Sequence, residues 1–172
     1  MRKIILLGYM GCGKSTIAKR LSDNTGISLV DLDKSIEDRI QLAINEIFEQ
    51  KGEIYFRKLE REILIELLNY PETLIIALGG GAPCYSNNHE LLVGENIISI
   101  YLKGSVDTLV ERLLANRSKR PLVANKTEIE LKEFIAKHLF DRSFYYNQAQ
   151  YKVSIDGKTK DEIAEEILNI LA

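Results

Sequence analysis

Residues 8–16 read GYMGCGKST, and no other stretch limits the choice of fold so tightly. The run matches the pattern G-x-x-x-x-G-K-[ST]. It is preceded by a short apolar run, residues 3–7, and followed by an amphipathic pattern over 14–24 that stops at Gly26. A strand, a glycine-rich turn and a helix in that order form the setting in which this pattern cradles phosphate. Gly8, Gly11 and Gly13 let the backbone turn its N–H groups inward. Gly11, Cys12, Gly13 and Thr16 then belong to the phosphate cradle through the main chain. The helix that opens at Lys14 adds its positive end. Lys14 is expected to reach the β- and γ-phosphates, and Ser15 to place its hydroxyl on Mg²⁺. The motif therefore asks for a nucleoside triphosphate with magnesium, and it is silent on the acceptor. Cys12 is read either as a thiol activated by the nearby helix end or as a small residue at a variable position.

The rest of the chain repeats the same alternation. Strands are expected at 28–31, 73–78, 97–102 and 151–155. Helices are expected at 34–40, 45–51, 54–69, 105–115, 128–140 and 159–171. Runs such as IILL and LIIAL are apolar throughout, as strands covered on both faces must be. The pattern predicts an α/β fold: a three-layer α/β/α sandwich around a five-stranded parallel sheet, in one domain spanning 1–172. In such sheets ligands bind at the carboxyl ends of the strands, and every unusual loop here follows a strand.

Two of those loops carry chemistry. VDLD closes the second strand with Asp31 and Asp33. One aspartate can cap the following helix, a role that suits Asp33, but a cap does not account for both. Asp31 is expected to face the phosphate loop and support Mg²⁺. Asp33 is expected to face the acceptor, orienting a hydroxyl and accepting its proton. The third strand runs into Gly79, Gly80 and Gly81, where many phosphate-loop proteins place a metal-binding acid. Three glycines suit a floor on which a rigid ligand lies close to backbone N–H groups. A tight turn requiring positive φ is the alternative.

Taken in order, GYMGCGKST, DLD, FRKLE, GGGAP, RPL and DRSFYYNQA resemble the motifs of the shikimate kinase family, and they extend from near the N-terminus to about residue 150. The resemblance implies a nucleoside-monophosphate-kinase-like fold. It implies transfer of the γ-phosphate of ATP to the 3-hydroxyl of shikimate, on the route to chorismate and the aromatic amino acids. It makes Gly79, Gly80 and Gly81 part of the shikimate floor, and Arg57 and Arg142 the pair that holds the carboxylate. A planar guanidinium suits that task, although either residue can also be an ordinary surface arginine. Glu60, one turn from Arg57, can pair with it and orient it from behind. Phe56 is read as ring-packing or as core. The acceptor-binding helical region then covers about 33–61. Residues 112–124 become a mobile lid, within which NRSKRPLV carries three positive charges and no negative one. Arg120 matches the arginine that contacts the transferring phosphates. Arg117 is a candidate for stacking on adenine, with Arg112 as its rival. The turn at 155–160 falls where the family contacts adenine.

Composition bounds the remaining possibilities. A net charge of −2 speaks against a nucleic-acid partner, which normally needs a basic surface. No apolar run approaches the ~20 residues that span a bilayer, and the chain is expected in the cytoplasm, as a monomer. Cys12 and Cys84 lack metal-ligand spacing and read as reduced thiols. His89 and His138 read as surface residues on helices. Two other readings of the whole remain: a different small-molecule kinase of this fold, such as one acting on gluconate, and a non-catalytic nucleotide-binding regulator.

Overall fold

The structure is a computed structural model and describes residues 1–116 and 125–172. Its frame is one sheet of five strands: β1 (Lys3–Leu7), β2 (Ser28–Asp31), β3 (Leu74–Ala77), β4 (Ile97–Lys103) and β5 (Tyr151–Ser154). The order across the sheet is β2-β3-β1-β4-β5, and every neighbouring pair is parallel. The helices are α1 (Lys14–Thr25), α2 (Leu32–Ile40), α3 (Ile44–Lys51), α4 (Glu53–Asn69), α5 (Val106–Ala115), α6 (Glu128–Tyr146) and α7 (Lys160–Leu171). The expected α/β architecture forms, with β1 at its centre.

All five residues of β1 are buried, as are all four of β3. Burial includes Lys3, whose Nζ donates to Tyr70 O at 2.8 Å and Glu72 O at 2.7 Å. Those carbonyls lie at and just beyond the C-terminal end of α4, where a cation meets unpaired acceptors and the negative end of the helix. A charge inside an apolar strand is thus satisfied by backbone rather than by a carboxylate.

Because the strands are parallel, all five chain ends emerge on one edge. Pairing of Asp31 with Ala77, and of Leu6 with Ala77, sets that edge level. It brings the loop after β1, the acids after β2 and the glycines after β3 side by side.

Two helix boundaries differ from the pattern-based expectation by more than one residue. Helix α2 starts at Leu32, and its cap is Asp31, whose side chain accepts from Lys34 N. Asp33, for which a cap is the alternative reading, lies in the first turn instead. Helix α6 continues past 140 to Tyr146. Its last turns bury Tyr146 and leave Phe140 82% and Phe144 62% exposed. Apolar periodicity points the wrong way there, because the inward face of these turns carries an arginine and a tyrosine. Of the expected lid, α5 supplies the start through Ala115, while Arg117 and Arg120 lie outside the described residues.

Candidate active site

The loop after β1 takes its shape from glycines that no other residue replaces easily. Gly8, Gly11 and Gly13 have φ of 143°, 84° and 99°. A Cβ on Gly8 would stand 2.8 Å from Leu102 O. Gly13 caps α1 without a side-chain hydrogen bond, so the first N–H groups of the helix are left for a ligand. Lys14 Nζ donates across the loop to Gly8 O at 2.8 Å and Tyr9 O at 3.1 Å. These are neutral acceptors that phosphate oxygens can replace. Cys12 is fully buried, and its carbonyl accepts from Arg112 Nη1 at 3.1 Å. The cysteine packs within the loop, which fits the small-residue reading and removes the exposure that a reactive thiol needs.

Beside this loop stand the two acids. Ser15 Oγ donates to Asp31 Oδ2 at 3.0 Å, while Asp31 Oδ1 accepts from Lys34 N at 3.2 Å. Asp31 therefore caps α2 and faces the phosphate loop with the same carboxylate. Asp33 is half-buried, and its pKa is raised, first by loss of water around it and then by the charge of Asp31; Lys14 and Arg57 pull the other way. A carboxylate raised in this way is a stronger base than an exposed one. Among the described residues no three His, Cys, Asp or Glu side chains cluster as a metal cage. The adjoining oxygens of Ser15 and Asp31 do fit magnesium, which prefers oxygen, keeps several waters and shares its shell with phosphates.

The three glycines after β3 are not a left-handed turn. None of them has a φ in that region, and Gly81 has φ −88°. What favours glycine at two of the three is the approach of side chains: a Cβ on Gly79 would lie 2.6 Å from Asp33 Oδ1, and one on Gly81 would lie 2.8 Å from Arg57 Nη2. One on Gly80 would meet Arg142 Nη1 at 3.6 Å, an ordinary contact. Three residues far apart in sequence thus meet on one bare stretch of backbone.

Arg57 is held firmly. Its Nη1 donates to Glu60 Oε2 at 2.9 Å, and its guanidinium lies 3.9 Å from the Tyr85 ring centroid and 5.0 Å from that of Phe56. Glu60 is 1% exposed. Burial pushes its carboxyl up to about 6, against the pull of Arg57. Pairing with Glu60 and service to a ligand are compatible: Glu60 takes Nη1 and Glu53 Oε1 accepts from Nε at 3.5 Å, which leaves Nη2. Phe56 is both core, at 3% exposure, and a ring under the arginine. Arg142, from α6, lies 5.7 Å from the Tyr9 ring centroid.

A cavity of about 750 Å³ runs from the phosphate loop past Asp31 and Asp33 to Gly79 and Gly80. Its other wall is Arg112, Asn116 and the turn at Lys158, Thr159 and Lys160. Pattern reading left Asn116 and the individual residues of that turn unassigned, because their composition is that of any polar loop. Tyr85 was also missed; its position just after GGGAP is the only hint. Neither histidine is a free surface residue. Tyr9 Oη and His138 Nδ1 are 3.0 Å apart, and His89 lies edge-on to Phe144 and Tyr145. His89 sits in a short 3₁₀ turn, Asn88–Leu92, rather than in an α-helix.

A parallel sheet with a glycine-rich loop opening α1, a lysine and serine behind it and acids on the next strand end define a phosphate-loop kinase. The shikimate kinase family model matches residues 10–172. A shikimate kinase of Flavobacterium johnsoniae is 64% identical over 172 residues, covering all of both chains. Among solved structures, the shikimate kinase of Bacteroides thetaiotaomicron superposes with TM-score 0.90 at 33% identity, covering 99% of this chain and 98% of that one. The Acinetobacter baumannii enzyme, solved in complex with shikimate, gives TM-score 0.86 at 30% identity, covering 99% and 93%. The chain belongs to the shikimate kinase family, ATP-dependent kinases that phosphorylate a hydroxyl of shikimate.

Proposed function

We propose that this site transfers the γ-phosphate of ATP to the 3-hydroxyl of shikimate, with the carboxylate of shikimate held between Arg57 and Arg142. The observation that supports it best is the meeting of Asp33, Arg57 and Arg142 on Gly79, Gly81 and Gly80. Two cations and one base around a floor without side chains suit a flat ring bearing a carboxylate and hydroxyls. Asp33 accepts the hydroxyl proton as the new O–P bond forms and the bond to ADP breaks. Lys14 exchanges its loop carbonyls for phosphate oxygens and steadies the charge between donor and acceptor. Ser15 and Asp31 would hold Mg²⁺, Ser15 with its hydroxyl and Asp31 with its carboxylate. Magnesium, when bound, neutralises the charge of the phosphates.

In the same reading, residues 112–124 act as the lid, with Arg120 on the moving phosphoryl group and Arg117 or Arg112 beside adenine. Arg112 already reaches the cavity wall. A cytoplasmic monomer without a nucleic-acid partner accords with two free cysteines and a net charge of −2. Among the described residues no helix is long and apolar enough to cross a membrane.

The test is ADP release from Mg·ATP with shikimate, with gluconate and with no acceptor, followed by phosphorus NMR of the product. Shikimate-dependent release with phosphate on the 3-oxygen is expected. Release with gluconate alone overturns the acceptor assignment. A different phosphorylated oxygen overturns the placement of Asp33.

A further inference from the structure

Tyr146 ends α6 four residues after Arg142, which puts both on one face of the helix. It is fully buried, and its ring lies 5.1 Å from that of Tyr101 on β4. A buried tyrosine needs a partner for its hydroxyl, and Tyr146 Oη donates to Gly80 O at 2.6 Å. The Arg142 guanidinium lies over the same glycine, its Nη1 3.6 Å from where a Cβ on Gly80 would stand. Burial holds the hydroxyl protonated far above neutral pH, although Arg142 opposes this. The donor to Gly80 is therefore present throughout the working range of the enzyme.

The hydroxyl therefore ties the last turn of α6, which also carries Arg142, to Gly80 in the loop after β3. We infer that Tyr146 is a positioning residue for the acceptor: its hydroxyl fixes Arg142 relative to Gly80. It touches neither ATP nor the transferred phosphate. This rests on the reading of Arg142 as a carboxylate ligand.

Tyr146→Phe keeps the ring against Tyr101 and removes only the oxygen. Steady-state kinetics on this variant, on Arg142→Ala and on the double variant separate the possibilities, with thermal melts as the control for folding. For Tyr146→Phe the shikimate KM is expected to rise about fivefold to tenfold, the upper scale of one lost neutral hydrogen bond. Its kcat should stay within about threefold and its ATP KM should be unchanged. In the double variant the shikimate KM should equal that of Arg142→Ala, because Tyr146 acts through the arginine. A wild-type shikimate KM in Tyr146→Phe beside a raised one in Arg142→Ala overturns the role of Tyr146 and leaves the carboxylate reading standing. A Tyr146→Phe enzyme that loses affinity for both substrates together with its melting temperature has a structural hydroxyl, which also overturns the proposal. An unchanged shikimate KM in Arg142→Ala overturns the carboxylate reading itself, and the inference about Tyr146 with it.

Discussion

Gly79→Ala should damage catalysis while leaving the fold and the nucleotide site nearly intact. The new Cβ would stand 2.6 Å from Asp33 Oδ1, where ordinary contact begins at 3.4 Å. Either the carboxylate retreats by about 0.8 Å or the backbone gives by a comparable amount. The obstacle is the tip of a side chain, and Gly79 does not occupy a left-handed conformation, so the carboxylate is the part that yields. Displacing a catalytic group by about 1 Å costs on the order of 10²-fold in rate, about 2.7 kcal/mol of barrier. Coupled ADP release should therefore show kcat lowered about a hundredfold. ATP affinity by calorimetry should stay within about twofold, and the melting temperature should be close to wild type. A kcat within threefold of wild type would refute the argument that glycine is present to admit Asp33. A joint loss of kcat and ATP affinity would show that the phosphate loop moved instead.

The other perturbations separate the remaining roles. Gly81→Ala presses a Cβ to 2.8 Å from Arg57 Nη2; shikimate KM should rise about tenfold, roughly 1.4 kcal/mol, with kcat nearly kept, and initial-rate kinetics would show it. Glu60 titrates at about 6 when folded against 4.5 as its ordinary value. The folded chain therefore binds more protons over that interval, and stability falls as pH rises through it, by about 2 kcal/mol. Urea midpoints from pH 4 to 7 should reveal that slope, and Glu60→Gln should flatten it by about that amount; an unchanged slope places the titration elsewhere. Asp31→Ala removes the cap on Lys34 N, so it should cost about 1 kcal/mol of stability and raise the Mg²⁺ concentration needed for half-maximal rate. A wild-type Mg²⁺ dependence would take Asp31 out of the metal site.

Much of the molecule was legible in the linear pattern because its signals are local. The phosphate loop declares itself, since glycine spacing, lysine and serine are set by a contiguous stretch of backbone around a phosphate. The strands are equally plain: a doubly covered parallel sheet demands unbroken apolar runs, and IILL and LIIAL supply them. Gly26 marked the end of α1 because a left-handed cap is a one-residue requirement, met here at φ 72°. The pairing of Arg57 with Glu60 followed from helical spacing, and the side chains do meet.

Tertiary structure decided what depends on residues far apart in the chain. GGG alone is compatible with a turn; that Gly79 admits Asp33 and Gly81 admits Arg57 follows from the parallel order β2-β3-β1, which sets those loops side by side. On paper Asp31 is expected at the phosphate loop and Asp33 at the acceptor, with the helix cap suited to Asp33. The register of β2 on β3 makes Asp31 the cap and the neighbour of Ser15, and it turns Asp33 into the half-buried acid beside the glycines. The end of α6 was hidden for the same reason. Its exposed Phe140 and Phe144 imitate a core face, while the true inward face carries Arg142 and Tyr146. Periodicity reports where apolar side chains recur; only packing reports which face the protein buries, and here it buries Tyr146, whose hydroxyl is satisfied by Gly80 O.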